Sequence, residues 1–236
     1  MAAPNTGNSL LDALPLETLS RLKPHLTVVD MTFGEEIHEP GEPIEHVLFP
    51  TRGLISVVAS MEDGSAVEIN MVGREGMFSV AAILGDDRPS HRAMVQLAGH
   101  ALRMKSTLFR QEVEDDLTMR HSMLRYTMAV TSAIGQTAAC NRLHVLEERC
   151  ARWLLAARDR ADGDTFPMTH EFLAMMLGVR RAGVTIAAQA LQSSGLITYN
   201  HGTMTIIDRD GLQQRSCECY EAIRAEFRRL ADTPAG

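Results

Sequence analysis

The sequence predicts an α+β fold made of an N-terminal antiparallel β-roll or jelly roll, a long dimerisation helix and a C-terminal winged helix-turn-helix. Three observations carry this. Apolar residues alternate with period two, between closely spaced turn signals, from Thr27 to about Lys105. From Ser106 the period becomes helical, and Asp116 to Arg142 contains no proline and one glycine. Finally, Thr169 to Leu191 reads as two short helices around Gly178, followed by strand, turn and strand.

Residues 10–26, LLDALPLETLSRLKPHL, form an amphipathic helical opening with Leu14, Leu19 and Leu22 on one face. The roll follows, with turn signals at Pro40-Gly41, Pro50 to Gly53, Asp63-Gly64, Gly73 to Gly76 and Gly85 to Pro89. In the long helix, Leu124, Thr131, Ala138 and Val145 recur every seven residues, with Thr127 and Ile134 on the adjoining seam. Leu124, Thr127, Thr131, Ile134 and Ala138 are thus the candidate dimer interface, although periodicity alone equally allows packing within one chain. A further helix, Glu147 to Arg160, carries Trp153, Leu154 and Leu155 up to a break at Asp162-Gly163-Asp164. The expected divisions are an effector roll over 1–110, the dimerisation helix over 111–142, the winged module over 143–225 and a tail over 226–236.

Within the winged module Thr169 can cap a helix whose apolar positions are Phe172, Leu173, Met176 and Leu177, and Gly178 stands where the chain must turn. In the next helix Val184, Ala187, Ala188 and Leu191 make the buried face. Arg180, Arg181, Thr185 and Gln189 lie on or near the other. A helix N-terminus favours anions, so two arginines there point to an external phosphate or a guanine edge. Thr169 at the cap and His201 at the tip of the wing complete the candidate DNA-contacting set.

A net charge of −7 excludes a protein that coats nucleic acid through bulk positive charge, and makes any DNA contact local. No apolar run reaches membrane-span length and MAAPNTGNS lacks the order of a signal peptide, so a cytoplasmic location without membrane partners is expected. Cys140, Cys150, Cys217 and Cys219 show no pair-plus-pair zinc spacing and read as reduced packing thiols. His38 and His46 lack the spacing of a cupin metal set. No metal, no cofactor and no enzymatic activity are therefore expected.

The order of parts resembles the CRP/FNR family of bacterial transcription regulators. The resemblance rests on Gly41 to Phe49 with Gly53 to Val57, on Asn141 to Arg149 with Ala151 to Leu155, and on Thr169 to Ile197. It implies a homodimer whose two recognition helices read a palindromic operator on double-stranded DNA, with RNA polymerase as a further partner. It also places Arg181 on the family's main base-contacting arginine, while Ala182 and Ile186 replace positions often held by glutamate and arginine. Cyclic-nucleotide-binding members carry a glutamate for the ribose and an Arg-Ser pair for the phosphate. Here Arg74 stands at the glutamate position with Glu75 one place on, and His91-Arg92 replaces the pair. The candidate ligand residues are accordingly Glu75, Gly76 and Arg92, the last able to hold a small anionic effector, and cyclic AMP is not the expected switch. The alternative from another class is a small-molecule-sensing interaction module whose winged domain binds protein.

Overall fold

The structure is a computed structural model that describes residues 5–232, and it divides into two compact units. Unit 1 takes residues up to 57, 71–132 and the segment from 225; unit 2 takes 58–70 and 133–224.

Unit 1 opens with two short helices, α1 (Ser9–Asp12) and α2 (Leu16–Leu22), separated at Pro15. Leu14, Leu19 and Leu22 are buried, as the amphipathic opening predicts. The roll is a five-stranded sheet of β1 (Thr27–Met31), β2 (Glu36–His38), β3 (His46–Ser60), β4 (Ala66–Val72) and β5 (Arg92–Lys105), in the order β1-β5-β3-β4 with β2 also on β5. Helix α3 (Ala81–Leu84) precedes β5, and α4 (Ser106–Asp115) follows it directly. The Asp63-Gly64 turn joins β3 to β4 as expected, with the Met61 amide donating to Ser65 and that of Gly64 to Met61. Pro50 to Gly53 is not a turn. It lies inside β3, where Gly53 comes against the β5 backbone at Leu97 and Ala98. One core cluster joins Leu11, Leu22, Phe49, Met77, Phe109, Met119, Met123 and Tyr126, and a second joins Leu48, Ile55, Phe78 and Val95.

Helix α5 (Leu117–Leu143) is capped by Asp116, whose Oδ1 accepts from the amides of Thr118 and Met119. Its buried face is Met119, Met123, Tyr126, Val130, Ala133 and Cys140.

Unit 2 contains α6 (Leu146–Arg158), β6 (Thr165–Pro167), α7 (His170–Leu177), α8 (Arg181–Ser193), β7 (Ile197–Asn200), β8 (Thr203–Ile206) and α9 (Arg209–Arg215). Helix α10 (Cys219–Asp232) begins here as well. The expected tail over 226–236 is therefore helical as far as Asp232, because Phe227 and Leu230 find apolar partners in the first core cluster. The remainder lies outside the described residues. Trp153, fully buried on α6, donates its indole N–H to Glu68 at the tip of the β3–β4 hairpin at 2.8 Å.

Candidate nucleic-acid interface

The two helices of the reading head form for local reasons. Thr169 takes an extended backbone and its hydroxyl accepts from the Phe172 amide at 3.1 Å, ending the frayed first turn of α7. Gly178 closes the helix in the left-handed region, φ 62°, where a β-carbon would be strained and would also meet Val67 at 3.0 Å. The buried Arg149 guanidinium donates to the Leu177 carbonyl, which places a cation at the negative end of α7.

Helix α8 buries Val184, Ala187, Ala188 and Leu191 and leaves Arg180, Arg181, Ala182, Ile186 and Gln189 exposed. No side chain caps its N-terminus, so the first amides are open to an anion, and its sequence carries no carboxylate. Arg181 makes only a loose pair with Glu171 at 3.9 Å, both side chains well exposed. A groove ligand can displace such a contact at little cost. Ile186, 69% exposed, adds an apolar side chain to this face, four positions after Ala182.

Thr185 is placed differently from expectation. It is half-buried, and its hydroxyl donates to the Arg181 carbonyl and meets His170 Nδ1, each at 3.1 Å. Its polar capacity is used inside the module. Burial and the nearby Arg181 charge lower the His170 pKa, so the ring stays neutral, and it stacks on Tyr199 with centroids 4.1 Å apart. Tyr199 lies in the wing and donates its amide to Gln192 of α8. The wing is thereby locked to both helices. Its turn has His201 at φ 45° and Gly202 at φ 80°, both left-handed as a two-residue type I′ turn requires, and presents the His201 side chain outward. The third strand, β6, pairs with β8 and brings Thr169 beside Gly202.

On α5, the exposed residues Leu117, His121, Leu124, Met128, Thr131, Gly135, Ala138 and Arg142 alternate by four and three. Leu124, Thr131 and Ala138 fall on this stripe. Met128 and Gly135 complete it, whereas Thr127 is half-buried with its hydroxyl on the Met123 carbonyl, and Ile134 flanks the stripe at 36% exposure.

The three candidate ligand residues do not converge on an open anion site. Gly76 is closed off by Tyr126, whose ring would collide with any β-carbon there. Glu75 Oε1 accepts from the Gly73 amide at 3.1 Å. Arg92 pairs with Glu36, whose carboxyl is held below its ordinary range by a hydrogen bond from Glu39 and by Arg92 itself. The partner Glu36 lies in an acidic stretch of sequence, with Glu35, Glu39, Glu42 and Glu45.

Residues 29–116 match the cyclic nucleotide-binding domain, and residues 148–215 match the Crp-like helix-turn-helix domain. The two matches follow in the family's order and cover about two thirds of the chain. The chain belongs to the CRP/FNR family of transcriptional regulators. Solved structures share the fold at low identity. A protein described as a crp/fnr-family transcriptional regulator from Eubacterium rectale aligns with TM-score 0.70 and 16% identity over 89% of this chain and 99% of its own. FixK2 from Bradyrhizobium japonicum gives 0.68 and 16% over 81% and 98%. A CRP-family transcriptional regulator from Thermus thermophilus gives 0.67 and 19% over 80% and 96%. No curated relative matches the sequence. Among the described residues no helix is long and apolar enough to cross a membrane.

Proposed function

We propose that this CRP/FNR regulator acts as a homodimer that reads a palindromic operator through α8, and that cyclic AMP is not its switch. The observation that carries the reading is the exposed face of α8. It offers Arg180 and Arg181 at an uncapped N-terminus, with Ile186 and Gln189 one and two turns on and no carboxylate among them. Arg181 supplies a bidentate donor for guanine, Ile186 an apolar contact for a thymine methyl, and Gln189 a donor and acceptor pair for adenine. Arg180, Thr169 and His201 serve the phosphates on either side. The heptad stripe on α5 supports the dimer, and two recognition helices that read a palindrome in successive major grooves stand about 34 Å apart.

Independence from cyclic AMP is supported by the pairing of Arg92 with Glu36 and by Glu39, which is hydrogen-bonded to Glu36. A cyclic phosphate would have to displace a carboxylate and enter a negative field. RNA polymerase is the further partner this role implies, and the cytoplasm its location. The test is operator selection from a random duplex library followed by anisotropy titration with and without cyclic AMP. A symmetric selected site, bound by a dimer with a steep salt dependence and unchanged by cyclic AMP, is the expected result. Selection of no sequence, or tightening by micromolar cyclic AMP, would overturn the corresponding part.

A further inference from the structure

Three of the four cysteines and one histidine meet in unit 2 although the sequence scatters them. Cys140 and His144 stand one helical turn apart at the C-terminal end of α5, and Cys217 and Cys219 flank Glu218 where α9 gives way to α10. The three sulfurs and one imidazole nitrogen all lie within 4.8 Å of one another. Cys140 Sγ is 3.5 Å from Cys217 Sγ, and Cys219 Sγ is 3.6 Å from His144 Nδ1. All four cysteines are free thiols, and the three of this set are buried against each other as a cluster of their own, apart from the aliphatic cores. Packing thiols would be expected among leucines and valines. Here an imidazole nitrogen is brought into their midst instead.

We infer that Cys140, His144, Cys217 and Cys219 form a structural site for one soft divalent metal ion of the zinc class. A tetrahedral ion with metal–sulfur bonds of about 2.3 Å holds its ligand sulfurs about 3.8 Å apart, which these side chains reach with small rotations. The atoms are too close together for an iron–sulfur cluster, whose four ligands are spread over two or more iron atoms. Four protein ligands leave no open position, so the site is structural and not catalytic.

The surroundings are those that a thiolate–imidazole centre needs. His144 Nε2 lies 3.2 Å from Glu218 Oε2, so Nε2 carries the proton and Nδ1 presents its lone pair to the sulfurs. Gln136 donates its side-chain N–H to Cys219 Sγ at 3.0 Å. Three thiolates around a dication leave one negative charge, and the buried guanidinium of Arg152 lies within electrostatic reach of Cys140, with its Nε free of any hydrogen bond. Such an ion would tie the end of α5 to the α9–α10 connection across 77 residues of sequence and so stabilise the unit that carries the reading head.

The experiment uses the full chain, purified without an affinity tag that binds metal, with elemental analysis by mass spectrometry and titration of chelator-stripped protein with cobalt(II). One zinc per chain is expected. Cobalt should give thiolate charge-transfer absorption in the near ultraviolet and intense tetrahedral bands in the red, both abolished by added zinc. Cys219→Ser should lose the metal equivalent, Cys150→Ser should keep it, and Glu218→Gln should weaken zinc binding about 10-fold or more. The wild-type cobalt spectrum decides the matter even where a cysteine variant does not fold. A weak octahedral spectrum with no zinc retained, or a Cys140–Cys217 disulfide in protein isolated without oxygen, would overturn the assignment.

Discussion

The phenol of Tyr126 satisfies both backbone groups of Met77, donating to its carbonyl and accepting from its amide at 2.9 Å each. This ties α5 to the segment between β4 and α3 at a point where Gly76 leaves room for the ring and hands its own carbonyl to Asn8. Tyr126→Phe keeps the packing and strands two buried backbone groups. A loss of about 1–3 kcal/mol in stability is expected, read by urea denaturation. Unchanged stability would mean that water replaces the hydroxyl.

Asp116 caps α5 and also accepts from Thr18 and pairs with Arg21. Burial pushes its carboxyl up, but the hydrogen bonds from Thr18, the Met119 amide and Arg21 outweigh that and hold its pKa at about 2. A folded-state pKa below the unfolded one means that the stabilisation is full above the ordinary aspartate range and is lost as pH falls through about 2. Asp116→Ala should therefore cost about 1 kcal/mol at neutral pH, and the difference from wild type should shrink in acid. A gap that is constant down to acidic pH would remove the charged cap from the account.

The stripe on α5 makes a sharper prediction than heptad reading alone. Met128→Glu places a carboxylate in the middle of the exposed seam and should convert the dimer to a monomer by light scattering, with circular dichroism unchanged because the side chain is 57% exposed in one chain. Thr127→Ala, off the seam, should leave the dimer intact. A dimeric Met128→Glu protein would move the interface elsewhere.

The elements whose signals are local were legible in the sequence. Gly178, the Thr169 cap and the 3.6-residue period locate α7 and α8 without any tertiary information, and His201-Gly202 marks the wing turn. What was not legible depends on distant partners. Both faces of α5 carry large apolar side chains, so apolarity could not tell a step of three from Leu124 from a step of four, and only the burial of Met123 and Tyr126 shows which face is covered within the chain. Arg92 looked available because Glu36 lies on a different strand, and Thr185 looked free because His170 belongs to the preceding helix. The four-ligand cluster was hidden by the same cause, since Cys140-x-x-x-His144 and Cys217-x-Cys219 become one set only when α5 and the start of α10 pack together.

Substitutions at Arg181 and Arg180 separate base reading from phosphate anchoring on α8. Arg181→Ala should weaken binding to the selected operator by about 1–3 kcal/mol, roughly 5- to 150-fold, and should relax preference at one base pair in each half-site. The fold has no reason to change, because the side chain is exposed and its pair with Glu171 is loose. Arg180→Ala should weaken specific and random duplexes alike and reduce the slope of log affinity against log salt by about one per half-site. Anisotropy titrations at three salt concentrations on both duplexes read the two effects apart. Equal losses for Arg181→Ala on operator and random DNA would assign that side chain to the backbone and leave base recognition to Ile186 and Gln189.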